Sequence, residues 1–369
     1  MTDSTASQID WLQAQCTIRE RSINPIAKIS GLAYLIVQRP DPETAARFFV
    51  DYGLIIDRRI DQRIYLRGSS TDSHLIIIEK GPADITTVGF FASSDDVEKL
   101  AEHFNTPATS RDAPIGGRFV TLKDPDGLTL EINSDLNPLD PLVAPSYLDK
   151  YNTADKKNRV NQPVRNVIEP RTVARLGHTL WSAKSMKKTI HWYQDVLGLL
   201  VSDFQFVPND ATPIVAFMRC DQGNKPSDHH TLGIGSAIEL GHVHSAFEMD
   251  SFEDVAINNK WMIRHKSQFN YTHGWGIGRH ILGSQIFDYW RDPYGDLFEH
   301  YADGDLFDSS IPTGYHLFHS EAQHQWGPDM TAEFKGMTQP LKMLKFLIKR
   351  LPQKDDLTAG RLIRMVKAI

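Results

Sequence analysis

A chain of 369 residues with 41% apolar and 23% charged side chains has the composition of an ordinary globular protein, and the usual domain size suggests roughly two to three domains. A net charge of −6 supplies no general attraction to nucleic acid or to an anionic membrane, and no apolar run approaches the roughly 18 residues of a membrane span. Two cysteines, Cys16 and Cys220, are too few for a disulfide framework, and the polar, acidic start MTDSTASQIDWLQAQ lacks the order of a signal peptide, so a reducing cytoplasm is the expected setting.

Residues 1–26 read as a polar leader with a short helix over 7–19, closed off before Pro25. A strand is expected over 29–38. Asp41-Pro42-Glu43 then opens a helix, with Asp41 as N-cap and the proline in the first turn, that ends at Gly53. Strands follow over 63–66, 74–79 and 87–92, then a helix over 95–104. A hairpin over 119–122 and 128–132, turned by Asp124-Pro125-Asp126-Gly127, closes this half.

The same order then recurs. RLGHTLWSAKSMKKTIHWYQDVLGLLVSDF repeats the strand, helix, glycine and returning strand of KISGLAYLIVQRPDPETAARFFVDYGLIIDRRI, with Met186, Ile190, Tyr193 and Leu197 spaced for one helix face. HSAFEMDSFEDV answers TVGFFASSDDV, and DPYGDLFEH answers DPDGLTLEI. The chain therefore divides into two homologous halves, 27–135 and 172–310, each of two βαβββ units, joined by a proline-containing linker over 136–171. The fold class is α+β, with a C-terminal extension over 311–369 whose last segment, 341–369, reads as two helices broken at Pro352. Leu344, Leu347 and Leu351 share one face of that segment, away from Lys342, Lys345, Lys349 and Arg350. Such a basic amphipathic stretch is expected to pack on its own protein or a sister subunit, giving a homo-oligomer, rather than on a membrane.

The chemistry is concentrated in the second half. Of 15 histidines only His74 and His103 precede residue 178, and the stretch from His273 to Asp303 compresses His280, Tyr289 and Glu299 into what reads as a β-hairpin turned by Asp292-Pro293-Tyr294-Gly295. Where the second half has His178, His244 and Glu299, the first has Tyr34, Thr86 or Thr87, and Glu131. A lone carboxylate does not hold a transition metal tightly. Two imidazoles and a carboxylate do, and they leave the opposite side of the ion open for substrate and dioxygen, whereas a structural zinc would want four closed ligands.

With LGHTLW, HSAFEMDSF and LFEHY in place, the chain resembles the type I extradiol ring-cleaving dioxygenases of the vicinal oxygen chelate superfamily over roughly residues 28–303. The resemblance implies two tandem vicinal oxygen chelate domains of which only the second binds metal. It implies iron(II), alternatively manganese(II), held by His178, His244 and Glu299, with dioxygen as co-substrate and a catecholic small molecule as substrate. The family commonly has a His-His pair before its AFE segment; here Val243-His244 keeps only the second, and His242, expected on the same strand face, is the rival ligand. The resemblance further places the acid–base histidine at His230, with His229 as its neighbour, on the strand after FMRCDQGNKPSD, and the hydrogen-bonding pair at His280 and Tyr289. A histidine suits proton transfer near neutrality.

Side chains two apart on a strand share a face, so Leu180 and Leu282 should line the substrate site, with Trp275 as a third candidate. All three are apolar. Arg279 is the only cation of the glycine-rich approach, which points to a hydrophobic, alkylated or bicyclic catechol. In the segment from Pro312 to Asp329, similar to the family's C-terminal lid, the irregular spacing of His316, His319 and His324 favours surface histidines over a second metal. Two other readings share the scaffold: a glyoxalase-like metal-dependent isomerase or lyase, and a non-catalytic small-molecule-binding protein.

Overall fold

The computed structural model describes residues 3–143, 151–319, 323–335, 344–345, 347–348, 350 and 355–368. Its first half runs α1 (Asp3–Gln15), β1 (Ile29–Arg39), α2 (Pro42–Asp51), β2 (Ile55–Ile60), β3 (Arg63–Arg67), β4 (Ile76–Lys80), β5 (Asp84–Ala92), α3 (Ser94–His103), β6 (Thr109–Ser110), β7 (Arg118–Lys123) and β8 (Thr129–Ser134). The second runs β9 (Arg175–Ser182), α4 (Met186–Leu197), β10 (Leu199–Phe206), β11 (Val215–Cys220), β12 (Ser227–Asp228), β13 (Leu232–Gly235), β14 (Gly241–Glu248), α5 (Phe252–Phe269), β15 (Thr272–His280), β16 (Ile286–Arg291) and β17 (Leu297–Ala302). It is followed by β18 (Leu306–Phe307), β19 (Gly314–Leu317), β20 (His324–Trp326) and α6 (Ala359–Ala368). No helix among the described residues is long and apolar enough to cross a membrane.

Local chemistry starts and stops these elements. Asp41 accepts from the backbone N–H groups of Glu43 and Thr44 ahead of α2, Ser93 from that of Asp96 in α3, and Ser251 from that of Asp254 in α5. Gly198, left-handed at φ 68°, closes α4. Both DPxG turns are built alike. Asp124 Oδ1 accepts from Asp126 and Leu128, Asp292 Oδ1 accepts from Tyr294 and Asp296, and Gly127 and Gly295 each stand at φ 98°.

The strand order of the first sheet is β2-β3-β4-β1-β5-β8-β7-β6, and that of the second is β19-β10-β11-β13-β9-β14-β17-β16-β15-β20. Without the added edge strands β19 and β20 the two orders are the same, as paired βαβββ units require. The matching pairs also share direction: β1/β5 and β9/β14 are antiparallel, while β5/β8 and β14/β17 are parallel. Buried residues of both halves join one apolar core, among them Phe48, Phe49 and Tyr52 of the first and Phe247 and Phe298 of the second. Each DPxG turn docks on the other half. Asp124 accepts from the Tyr193 hydroxyl of α4 at 3.1 Å and Asp126 from Thr189 at 2.7 Å. In return, Asp292 and Asp296 take the fully buried Arg39.

Four expectations change. The first helix spans Asp3–Gln15 rather than 7–19, because Arg19 is drawn off to pair with Gln194 and Asp195 on α4. The expected hairpin over 273–303 is a three-stranded meander, since β15 pairs with β16 as well as β16 with β17. His230 lies in the connection between β12 and β13, not on the strand itself. Near the C-terminus, Arg350 is buried by hydrogen bonds to Asp355 and the Ala183 carbonyl, and Leu344 faces out. Lys342, Lys349, Leu351 and the break at Pro352 lie outside the described residues.

Candidate metal and catalytic site

Three adjacent central strands aim three side chains at one point. His178 on β9 pairs in register with Ala246 on β14, and Ala246 with Glu299 on β17, which puts both ligand candidates on one side of the sheet. His244 arrives from β14 two residues earlier. Glu299 Oε2 lies 3.1 Å from His178 Nε2 and 3.4 Å from His244 Nε2, and the two nitrogens are 3.3 Å apart. Among the described residues this is the one grouping of three such side chains that could hold a metal ion.

The donor set fits a divalent first-row ion. With metal–nitrogen bonds of about 2.1 Å, neighbouring ligand atoms at right angles stand about 3 Å apart. Glu299 Oε1 is buried without a hydrogen-bond partner, an orphan that an ion or its ligands would satisfy. Burial alone would push the Glu299 carboxyl up, yet the hydrogen bonds from His178 and His244 lead the contacts that hold it well below the ordinary carboxylate range. Burial pushes His178 down and so keeps its imidazole neutral, the form that binds metal.

His242 is not on the face of His244. The register with β9 shifts between these two residues, a β-bulge that places Val243 in the cavity wall and turns His242 aside to hydrogen bond with Ser245 at 2.8 Å. The same pairing registers decide the equivalences in the first half. Tyr34 opposes Gly89, which opposes Glu131, so Thr87 and not Thr86 occupies the place of His244. There Arg111 stands where a metal would. Its Nη2 lies 2.6 Å from Glu131, and its Nη1 donates to the Tyr34 hydroxyl and to Asn133.

A cavity of about 200 Å³ opens over the triad. All nine residues singled out from the sequence line it: His178, His244, Glu299, His230, His280, Tyr289, Leu180, Trp275 and Leu282. The His230 ring packs 4.1 Å from that of His178, and burial lowers its pKa well below the usual histidine value. His280 Nδ1 faces the Gln323 carbonyl at 3.0 Å and must donate to it, so its Nε2 accepts from the Tyr289 hydroxyl at 2.9 Å. Burial, then the nearby Glu299, keeps Tyr289 a phenol far above its ordinary range. Arg279 turns away to Asp303 and the Ser284 carbonyl, and no lysine or arginine among the described residues lines the cavity.

Sequence reasoning missed the opposite wall. Val215 and Phe217 on β11, Phe318, and Met330 and Phe334 from the C-terminal segment complete the apolar lining, with Gln205, Gln285 and Gln323 as polar points. Alternation on β11 is visible, but Ala216 and Met218 on the other face are equally apolar, so the pattern does not say which face is the site. Of the C-terminal histidines, His316 bonds Asp203 and His324 stands beside Trp275.

Residues 175–299 match the Glyoxalase/Bleomycin resistance protein/Dioxygenase superfamily. The chain is 26% identical over 332 residues to a metapyrocatechase 2 from Cupriavidus necator, covering 85% of this chain and 95% of that protein. It is 21% identical over 288 residues to an iron-dependent extradiol dioxygenase from Rhodococcus jostii, covering 72% and 87%. Among solved structures the fold is shared, at a TM-score of 0.66 and 19% identity, with a Mn(II)-bound glyoxalase from Novosphingobium aromaticivorans, over 83% of this chain and 94% of that one. The same score and identity relate it to the homoprotocatechuate 2,3-dioxygenase of Brevibacterium fuscum in complex with 3,4-dihydroxyphenylacetate, over 85% and 94%.

Proposed function

Because the chain carries a glyoxalase/bleomycin resistance protein/dioxygenase superfamily domain and aligns along most of its length with extradiol enzymes, we propose that it cleaves an apolar catechol by extradiol chemistry at an iron(II) centre. The observation that supports this best is the juxtaposition, in one apolar cavity, of the His178, His244 and Glu299 donor atoms with His230 on one side and the His280–Tyr289 pair on the other.

His178, His244 and Glu299 would hold the ion, manganese(II) being the alternative. When bound, the ion would bring both catechol oxygens and dioxygen together and let electrons pass between them. The rest is done by the chain. His230 accepts a proton from a catechol hydroxyl and later returns it. Tyr289, whose hydrogen is committed to His280, offers oxygen lone pairs to a substrate hydroxyl. His280 is held in that tautomer by the Gln323 carbonyl. Leu180, Phe217, Trp275, Leu282 and Phe334 exclude water and pack on the ring and its substituents, which strengthens each of these polar contacts. With no lysine or arginine among the described residues of the wall, a carboxylated catechol would lose the solvation of its carboxylate for no ion pair in return.

The test is oxygen uptake by protein reconstituted anaerobically with iron(II), offered 3-methylcatechol and 2,3-dihydroxybiphenyl against 3,4-dihydroxyphenylacetate. Uptake matched to a yellow ring-opened product, with the apolar catechols ahead by kcat/KM, is expected. Tight metal binding without uptake on any catechol overturns the reading. It would favour the glyoxalase-like alternative, which the equal likeness to the manganese glyoxalase fold keeps in view and which consumes no oxygen.

A further inference from the structure

His230 is the inner end of a hydrogen-bonded chain that runs away from the cavity. Its Nδ1 lies 2.9 Å from Nδ1 of His229, the two rings standing at 89°. His229 Nε2 lies 2.5 Å from Asp203 Oδ2, and Oδ1 of the same carboxylate lies 2.7 Å from Nε2 of His316, whose side chain is 38% exposed. His229 and Asp203 are both buried. The site is built rather than incidental. A register shift in β10 between Val201 and Asp203 re-aims the Asp203 side chain. Gly314, opposite Asp203 on β19, leaves the room: a Cβ there would stand 2.0 Å from Asp203 Oδ1 and 2.5 Å from His316 Nε2. Burial would raise Asp203, but hydrogen bonds from His229 and His316 outweigh it and hold the carboxyl below its ordinary value.

The hydrogen positions follow from this order. A carboxylate only accepts, so His229 Nε2 carries the hydrogen it shares with Asp203. The Nδ1 of neutral His229 is then a lone pair, and the hydrogen between the two Nδ1 atoms belongs to His230. That leaves the lone pair of His230 on Nε2, the nitrogen free to face the cavity.

We infer that Asp203 and His229 are positioning residues that set the His230 tautomer and receive the positive charge when His230 works as a base. As Nε2 of His230 takes a proton from the substrate hydroxyl, its Nδ1 proton passes to Nδ1 of His229. The substrate O–H and His230 Nδ1–H bonds break, and the His230 Nε2–H and His229 Nδ1–H bonds form. His230 ends neutral, and the single positive charge rests on His229 against the Asp203 carboxylate instead of on a ring packed against His178. Protonation of a leaving or product oxygen is the same shift reversed. His316 links the far oxygen of Asp203 to solvent. The identity of the substrate hydroxyl rests on the extradiol reading; the tautomer order does not.

Two measurements test this. In zinc-loaded protein labelled with ¹⁵N-histidine, nitrogen NMR should find His229 protonated on Nε2 and His230 on Nδ1. The opposite order, with hydrogen on His229 Nδ1 and none on His230 Nδ1, overturns the inference. In the iron(II) enzyme, Asp203→Asn should lower kcat on the order of 10- to 100-fold while metal content and KM stay within about twofold. An unchanged kcat overturns it, as does a loss that appears wholly in KM. Should Asp203→Asn fail to fold, His229→Gln is read the same way and the NMR result stands on the unaltered chain. Expected tautomers without oxygen uptake on any catechol would sink the extradiol reading alone; reversed tautomers with uptake would sink this inference alone.

Discussion

His178 offers Nε2 to the proposed ion, so its Nδ1 carries a hydrogen that needs an acceptor. The Gln285 amide lies 3.4 Å from that nitrogen through Nε2, while its Oε1 is buried and without a partner; exchanging the two amide atoms turns the oxygen towards His178 Nδ1–H as its acceptor. Gln285→Leu should therefore weaken metal binding about 10- to 100-fold, read by competition with a chelator, with Gln285→Glu restoring most of it. His244→Ala should abolish both metal retention and oxygen uptake, whereas His242→Ala, which removes a side chain bonded to Ser245 and Asp296, should keep both. Equal loss in the two variants would overturn the ligand assignment. The triad candidates were legible because residue type and repeated position coincide at His178 and Glu299. Gln285 was not, since it reaches His178 from a different strand connection 107 residues away.

Among the elements, periodicity and the internal repeat located most of the long strands and helices of the two halves, but not the short strands β6, β12, β18, β19 and β20, nor which side of a strand faces the site. An alternating pattern assumes an unbroken period of two, but β14 carries a bulge at Val243, and only its pairing with β9 reveals the bulge. The same holds for the C-terminal segment, which belongs to the site through contacts its sequence does not announce. Trp275 Nε1 donates to the Pro328 carbonyl at 2.7 Å, Thr331 bonds the Gly274 carbonyl, and Phe334 packs 4.9 Å from both Trp275 and Tyr289. Phe334→Ala opens the cavity without touching a polar group. It should raise KM for an apolar catechol on the order of tenfold with a smaller change in kcat, measured by steady-state oxygen uptake. A fall confined to kcat would mean that this wall does not bind the ring.

For the whole molecule, the exchange of turns between halves makes Arg39 a shared support. It lies 2.8 Å from Asp292 and also pairs with Asp296, with no exposure of its own. Arg39→Ala leaves the fully buried Asp292 carboxylate without its counter-charge, and the half-buried Asp296 with only His242 beside it, and should cost about 3–5 kcal/mol in chemical denaturation, because removing one partner exposes the desolvation cost of the other. Acid acts on a different group. Burial depresses His74 despite the pull of Asp57, 2.9 Å away, and burial raises Asp57 less than Arg58 and His74 lower it. A histidine depressed in the fold protonates first in the unfolded chain, so its stability is present above about pH 6.5 and is lost as pH falls. Depressed Asp57 and Asp203 add a loss of the same sign below about pH 3.9. Urea titrations should show His74→Gln flattening the decline that sets in below about pH 6.5, and also reducing the Asp57 share of the carboxylate window, since His74 helps to depress Asp57. The two halves also differ in what each needs to be finished. In the first, Arg111 is a cation already written into the chain, seated against Glu131 and Tyr34 as soon as those strands meet. The second waits for an ion from outside. The first half can thus fill this place in its own sheet in a cell short of metal, while the second cannot. Metal scarcity would then be felt as a defect of the later half alone.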